Sequence, residues 1–154
     1  MSLTTEAFTI RPGIAADCEP VHRLIKELAI FEKEPAAVKT SPEDFRTSVF
    51  DKKTGVEFIV AEQGGMIVGT AIYYPAYSTW RGDYIYLEDL IVTQEKRSQG
   101  IGKALMMELL KIADQKNAHR IQWQVLDWNE DAIRFYRRMG VDISSQWLDV
   151  YHFI

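Results

Sequence analysis

Tyr84-Ile85-Tyr86-Leu87-Glu88-Asp89-Leu90-Ile91-Val92 and, after four intervening residues, Arg97-Ser98-Gln99-Gly100-Ile101-Gly102-Lys103-Ala104 decide how the rest of the chain is read. The first run is aromatic, β-branched and almost continuously apolar, which predicts a strand covered on both faces. The second opens an apolar-faced helix that runs to about Asn117. A strand, a glycine turn and a helix start gather backbone N–H groups that have no intrahelical acceptor. With the helix dipole they favour an anion, most often a phosphate. Gly100 and Gly102 let a ligand approach where a Cβ would block it. A P-loop needs Gly at Arg97 and Ser or Thr at Ala104, and the dinucleotide fingerprint needs a third glycine where Leu105 stands, so neither fits. The pattern that fits is Arg-x-x-Gly-x-Gly.

Outward from this stretch the chain reads as alternating elements. Phe8 to Arg11 is a first strand stopped by Pro12, and Asp17 is placed to cap a helix with Val21, Leu24, Ile25 and Leu28 on one face. Lys33 to Thr40 is a polar connection. Ser41-Pro42-Glu43-Asp44 is a helix start, with a short helix to about Phe50. Val56–Glu62 and Met66–Tyr74 are strands around the hairpin signal Gly64-Gly65. Pro75 to Asp83 reads as an aromatic-rich loop. After the glycine-loop helix, Arg120–Val125 is a strand, Asp127–Asn129 turns into a helix ending at Met139 before Gly140, and Trp147–Ile154 closes as a strand. The order predicts an α/β chain with a mixed sheet and helices on both faces.

The 154 residues suit one domain, with apolar content of 47% and charged content of 26%. A net charge of −4 argues against general nucleic-acid binding. Cys18 is the only cysteine, which excludes an intrachain disulfide and suits a reducing compartment. No apolar run reaches membrane-spanning length and the N-terminus has no basic-then-apolar signal, so the expectation is a cytoplasmic protein without a membrane partner. His22, His119 and His152 lack metal-ligand spacing, and no metal is expected.

Two further groups carry chemistry. Glu88 and Asp89 interrupt the apolar strand, and successive residues face opposite sides. If both faces are covered, at least one acid is partly buried and needs partners or a raised pKa. Asn129-Glu130-Asp131-Ala132-Ile133-Arg134-Phe135-Tyr136 suits a helix start leading to a tyrosine one turn past Ala132 and Ile133. On sequence grounds alone such a tyrosine is a core aromatic with a satisfied hydroxyl.

The glycine loop, the preceding acidic strand and the downstream tyrosine helix together resemble the GCN5-related N-acetyltransferases, which bind acetyl-CoA. Ile10-Arg11-Pro12, Ala15-Ala16-Asp17-Cys18, Leu24–Ala29, Tyr73-Tyr74, Trp80, Tyr86–Asp89, Gly100-Ile101-Gly102, Trp128-Asn129-Glu130 and Phe135-Tyr136 extend the likeness to nearly the whole chain. Within that superfamily they resemble diamine (spermidine/spermine) N-acetyltransferases and the relatives that acetylate thialysine. The resemblance implies a mostly antiparallel central sheet, a homodimer, and acetyl transfer from acetyl-CoA to a small primary amine in a ternary complex. By position it implies Glu88 as the base acting through water and Tyr136 as the acid. Leu90, Ile91 and Val92 match the strand edge that meets pantetheine. Arg97, Ser98, Gln99, Gly100, Ile101, Gly102 and Lys103 match the diphosphate loop. Asn129, Glu130, Asp131 and Ala132 match further CoA contacts. Phe31, Glu32, Trp80 and Asp89 match the acceptor side.

One departure bears on the acceptor. The polyamine enzymes carry an acid where Ser78 stands, and Tyr77-Ser78-Thr79-Trp80-Arg81 resembles the thialysine branch instead. Losing an acid and gaining Arg81 weakens the fit to a long polycation, and Arg81 can meet an acceptor carboxylate. A solvated loop charge at Arg81 explains the sequence equally well. The alternatives to a small-molecule enzyme are an acetyltransferase acting on protein lysines or N-termini, and a non-catalytic acetyl-CoA sensor.

Overall fold

A computed structural model describes residues 6–154; residues 1–5, which the N-terminal signal reading involves, lie outside the described part. The chain divides into a unit ending at Trp123 and a second unit, Gln124–Ile154.

In the first unit the strands are β1 (Phe8–Pro12), β2 (Glu57–Gln63), β3 (Met66–Ser78), β4 (Gly82–Val92) and β5 (Ile121–Gln122), and the helices are α1 (Cys18–Phe31), α2 (Pro42–Arg46) and α3 (Ile101–Gln115). The sheet order is β1-β2-β3-β4-β5. All neighbours are antiparallel except β4 and β5, which are parallel. The mixed, mostly antiparallel sheet matches the expectation. Gly64 and Gly65 both have positive φ, so the β2–β3 turn is the tight kind that matches strand twist.

Register assigns the faces. Phe58 lies opposite Ile72 and Val60 opposite Thr70. Phe58, Val60 and Ile72 form a buried cluster with Cys18 and Val21 of α1, closed over by Phe45, Val49 and Phe50. The alternate residues face the other way. There a Cβ on Gly69 would lie 3.2 Å from both Ile101 and Leu105, so α3 packs closely on that side. Helices therefore cover both faces, as expected.

Several boundaries differ from the sequence reading. Asp17 occupies the N-cap position of α1, but its side chain caps nothing there. Its carboxylate instead accepts from Arg11 at 2.7 and 3.0 Å and from the Ile14 N–H at 2.9 Å. Burial opposes ionisation of Asp17, yet these bonds hold its carboxyl below the usual carboxylate range. Ser41 does cap α2: its hydroxyl accepts from the Asp44 N–H at 3.0 Å while the Asp44 carboxylate accepts from the Ser41 N–H at 2.8 Å. The helix then widens into a π turn over Thr47–Asp51.

Pro75–Ser78 is strand and not loop. Beyond Tyr73, the last β3 residue matched by β2, β4 is the only partner among the described residues, and a proline is tolerated on such an edge. β5 is two residues, shorter than Arg120–Val125.

In the second unit α4 (Glu130–Arg138) starts at Asn129, whose side-chain oxygen accepts from the Ala132 N–H at 3.3 Å. Acids fill its first turn and arginines its last, matching the helix dipole. Gly140 follows in the left-handed region with φ 76°. Trp147–Ile154 is not a strand. Its alternation supplies a face, but a strand also needs a ladder of backbone partners, and this stretch forms none with the described residues.

Candidate active site

Site geometry in the first unit begins with a slip in register. Ile72 lies opposite Asp89 but Tyr73 lies opposite Leu87, so Glu88 is an extra residue with no partner on β3. This is a β-bulge, which bends the strand and re-aims its groups. Glu88 is exposed while Asp89, opposite Ile72, is partly buried on the α1 face. Burial, then the charges of Glu88 and Glu32, push the Asp89 carboxyl up to about 7. Burial also raises Glu32, at the end of α1. The charges of Glu88 and Glu32 beside a half-buried Asp89 favour a cationic guest.

On its far side β4 is open. It pairs with β5 only at Ile85 and Tyr86. Among the described residues no strand pairs with Leu87 to Ile91 on this side, so they offer backbone donors and acceptors along the edge. Leu90, Ile91 and Val92, expected to meet pantetheine, lie on it. The edge leads into the glycine loop. Ser98 (φ 64°) and Gly100 (φ 82°) are both left-handed, with Gln99 between them. Nothing lies within 4 Å of where a Cβ on Gly100 would stand. α3 starts there: the Ala104 N–H donates to the Gly100 carbonyl at 3.0 Å, which leaves the N–H groups of Ile101, Gly102 and Lys103 without helical acceptors. Alternating left-handed residues and a helix start form a concavity of amides that fits a diphosphate.

The loop is tied down from outside. The Arg97 guanidinium lies 5.3 Å from the centre of the Phe31 ring and donates to the Val92 carbonyl at 3.1 Å. Glu27 accepts from the Thr93 hydroxyl at 3.0 Å and from the Gln94 N–H at 2.9 Å. Glu27 escaped the sequence reading because a polar residue on a helix carries no signal for a partner 66 positions away. Tyr74 ends the strand expected from Met66 and lies opposite Tyr86. It stacks on Tyr86 with ring centres 5.3 Å apart. Burial, the Glu88 charge and a hydrogen bond to Glu88 raise its hydroxyl pKa.

Phe31, Glu32 and Asp89 are brought together at the end of α1, whereas Ser78, Trp80 and Arg81 are not. These sit at the β3–β4 turn, where Ser78 pairs with Gly82 and its hydroxyl accepts from the N–H groups of Trp80 and Arg81, both at 3.3 Å. Six residues of β4 lie between Gly82 and Asp89, roughly 20 Å at ordinary strand rise with the bulged Glu88 discounted. Trp80 is 91% exposed on this tip.

In the second unit, Asn129, Glu130, Asp131 and Ala132 form the start of α4. Tyr136 is buried on that helix, with its ring 5.4 Å from that of Phe135.

These features coincide with a known family. Residues 21–141 match the Acetyltransferase (GNAT) family model. The chain is 37% identical over 150 residues to the thialysine N-epsilon-acetyltransferase of Mus musculus, covering 90% of this chain and 88% of that protein. It is 34% identical over 147 residues to the spermidine/spermine N(1)-acetyltransferase-like protein 1 of Homo sapiens, covering 90% of this chain and 21% of that much longer protein. Among solved structures it resembles an integron cassette protein of V. cholerae, with a TM-score of 0.78, 25% identity, and coverage of 97% of this chain and 94% of the other. The chain belongs to the GNAT acetyltransferase family and is an acetyl-transferring enzyme.

Proposed function

We propose that this enzyme transfers acetyl from acetyl-CoA to the primary amine of a small molecule, by direct attack in a ternary complex. The observation that carries the reading is the bulge at Glu88. It sets an exposed carboxylate beside a partly buried one, on a strand whose free edge runs into the amide-lined loop. The family match spans the boundary between the two units, which supports treating residues 1–154 as one N-acetyltransferase domain.

Acetyl-CoA supplies the acetyl group as a thioester. The residues that would hold it are Leu90 to Val92 on the open edge, Arg97 to Lys103 in the loop and Asn129 to Ala132 at the start of α4. A lysine-like amine arrives protonated, with a pKa of about 10.4, and only its neutral form attacks. Glu88 takes that proton through water and Tyr136 gives one to the departing sulfur. Glu32 and Asp89 hold the acceptor's cation, with Phe31 beside them.

The acceptor class is a diamine or an amino acid of the thialysine or lysine kind. The 37% identity to a thialysine enzyme over most of the chain supports the second. So does Ser78, whose hydroxyl is engaged in the turn and offers no charge to a polycation. Arg81 and Trp80 lie too far from Asp89 along one strand to share its small acceptor. In the homodimer proposed here, a second copy brings this tip to the site. The test is thiol release from acetyl-CoA across spermidine, spermine, putrescine, lysine and thialysine. Fast turnover of thialysine or lysine is expected. Fast polyamine turnover overturns the amino-acid assignment, and silence across the panel overturns the small-amine reading.

A further inference from the structure

Of the two left-handed residues in the glycine loop, Ser98 is not a glycine. A side-chain-bearing residue stays in that region only where its surroundings fix it. On one side Arg97 is held by the Val92 carbonyl and the Phe31 ring. On the other the tie is Gln63, the last residue of β2. Gln63 is 4% exposed, and its side-chain nitrogen donates to Gln99 Oε1 at 3.1 Å and to the Glu6 carbonyl at 2.7 Å. Its own Oε1 is buried with no hydrogen-bond partner among the described residues. Turning the amide over would set that oxygen against the Glu6 carbonyl oxygen, so the backbone fixes the orientation and leaves the orphan. An unpartnered buried acceptor is costly, and its retention fits a function for the other end of the amide.

We infer that Gln63 is a positioning residue for the cofactor loop: by gripping Gln99 it locks Ser98 in the left-handed conformation and preforms the amide concavity that receives the diphosphate. This rests on the acetyl-CoA reading above. Gln63 touches no reacting atom, so its contribution falls on binding and not on the chemical step.

Titration calorimetry with acetyl-CoA, paired with turnover at saturating substrates, tests it. Gln63→Leu is expected to weaken acetyl-CoA binding about tenfold, roughly the effect of one hydrogen bond, while saturated turnover holds within about twofold. Its thermal midpoint is expected to move little, since the unpartnered oxygen leaves with the donor and the Glu6 carbonyl, on an exposed residue, can turn to water. Gln99→Ala breaks the same bond from the surface and carries the test if the core variant misfolds. The two effects are expected not to add in the double variant. Ser98→Gly adopts the left-handed region freely and is expected to restore affinity in the Gln63→Leu background. A simple packing role predicts no such rescue. Wild-type binding with an unaffected Gln63→Leu, additive effects, or failure of rescue overturns the inference alone. A wild-type chain that does not bind acetyl-CoA overturns the functional reading, and this inference with it.

Discussion

Glu88 and Asp89 are neighbours in sequence with opposite environments, and that contrast divides their tasks. Glu88, exposed on the bulge, suits proton transfer with water, and Glu88→Gln is expected to lower turnover by about 10²-fold or more at neutral pH. The loss should shrink toward alkaline pH, where free amine needs no base. A pH–rate profile parallel to wild type removes Glu88 from the mechanism. Tyr136→Phe should lower the rate without that alkaline recovery. Asp89 titrates differently. Burial and two neighbouring carboxylates raise it from the ordinary 3.8 to about 7, so it is neutral in acid and charged above neutrality. In that interval the folded chain keeps a proton the unfolded chain has lost, and stability falls as pH rises toward 7. A cationic acceptor reverses the penalty. Its apparent KM is therefore expected to fall between about pH 6 and 8, while the amine itself stays charged. Asp89→Asn should flatten that dependence, and an equally steep profile in the variant assigns it to another group.

Elements were legible where a residue's local chemistry sets a boundary. Gly64-Gly65, Ser41-Pro42 and Asn129 mark a hairpin and two helix starts, and the structure has all three. The reading failed where a distant partner decides. Pro75 looked like a loop residue, yet the long β4 carries β3 on to Ser78. Trp147–Ile154 has a strand's alternation without a ladder. Asp17 sits at a cap position but serves Arg11. The acids and the glycine loop were likewise visible, whereas the bulge was not, because a one-residue slip between strands leaves no trace in either strand alone. Gly13 shows the same blindness. A Cβ there would lie 2.0–2.4 Å from the Phe58 ring, whose centre is 5.1 Å from that of Phe45. Gly13→Ala is expected to drive Phe58 out of the cluster and cost about 1–3 kcal/mol of stability. Chemical denaturation reads it, and an unchanged midpoint would mean that the β1–α1 connection yields more easily than the ring.

At the scale of the whole chain, the choice between direct transfer and a covalent relay turns on where nucleophiles stand. The most reactive side chain for taking an acetyl group from a thioester is a thiolate, and this chain has one cysteine. Cys18 is 3% exposed at the start of α1, packed against Val21, Phe58 and Val60. Burial, and then the Asp17 charge, raise its thiol pKa, which keeps it protonated and inert. Its place is in the core, on the strand face away from α3. The burial of Cys18 supports the direct attack by the amine proposed above, which carries a kinetic signature. Initial rates with both substrates varied should give intersecting double-reciprocal lines, and acetyl-CoA alone should release no burst of thiol. Cys18→Ala should keep turnover within about twofold while losing some stability, since it deletes a buried sulfur and leaves the carboxylates and the loop untouched. Parallel lines with a stoichiometric thiol burst that vanishes in Cys18→Ala would require the core to open during turnover, and would replace the ternary complex with an acetyl-cysteine relay.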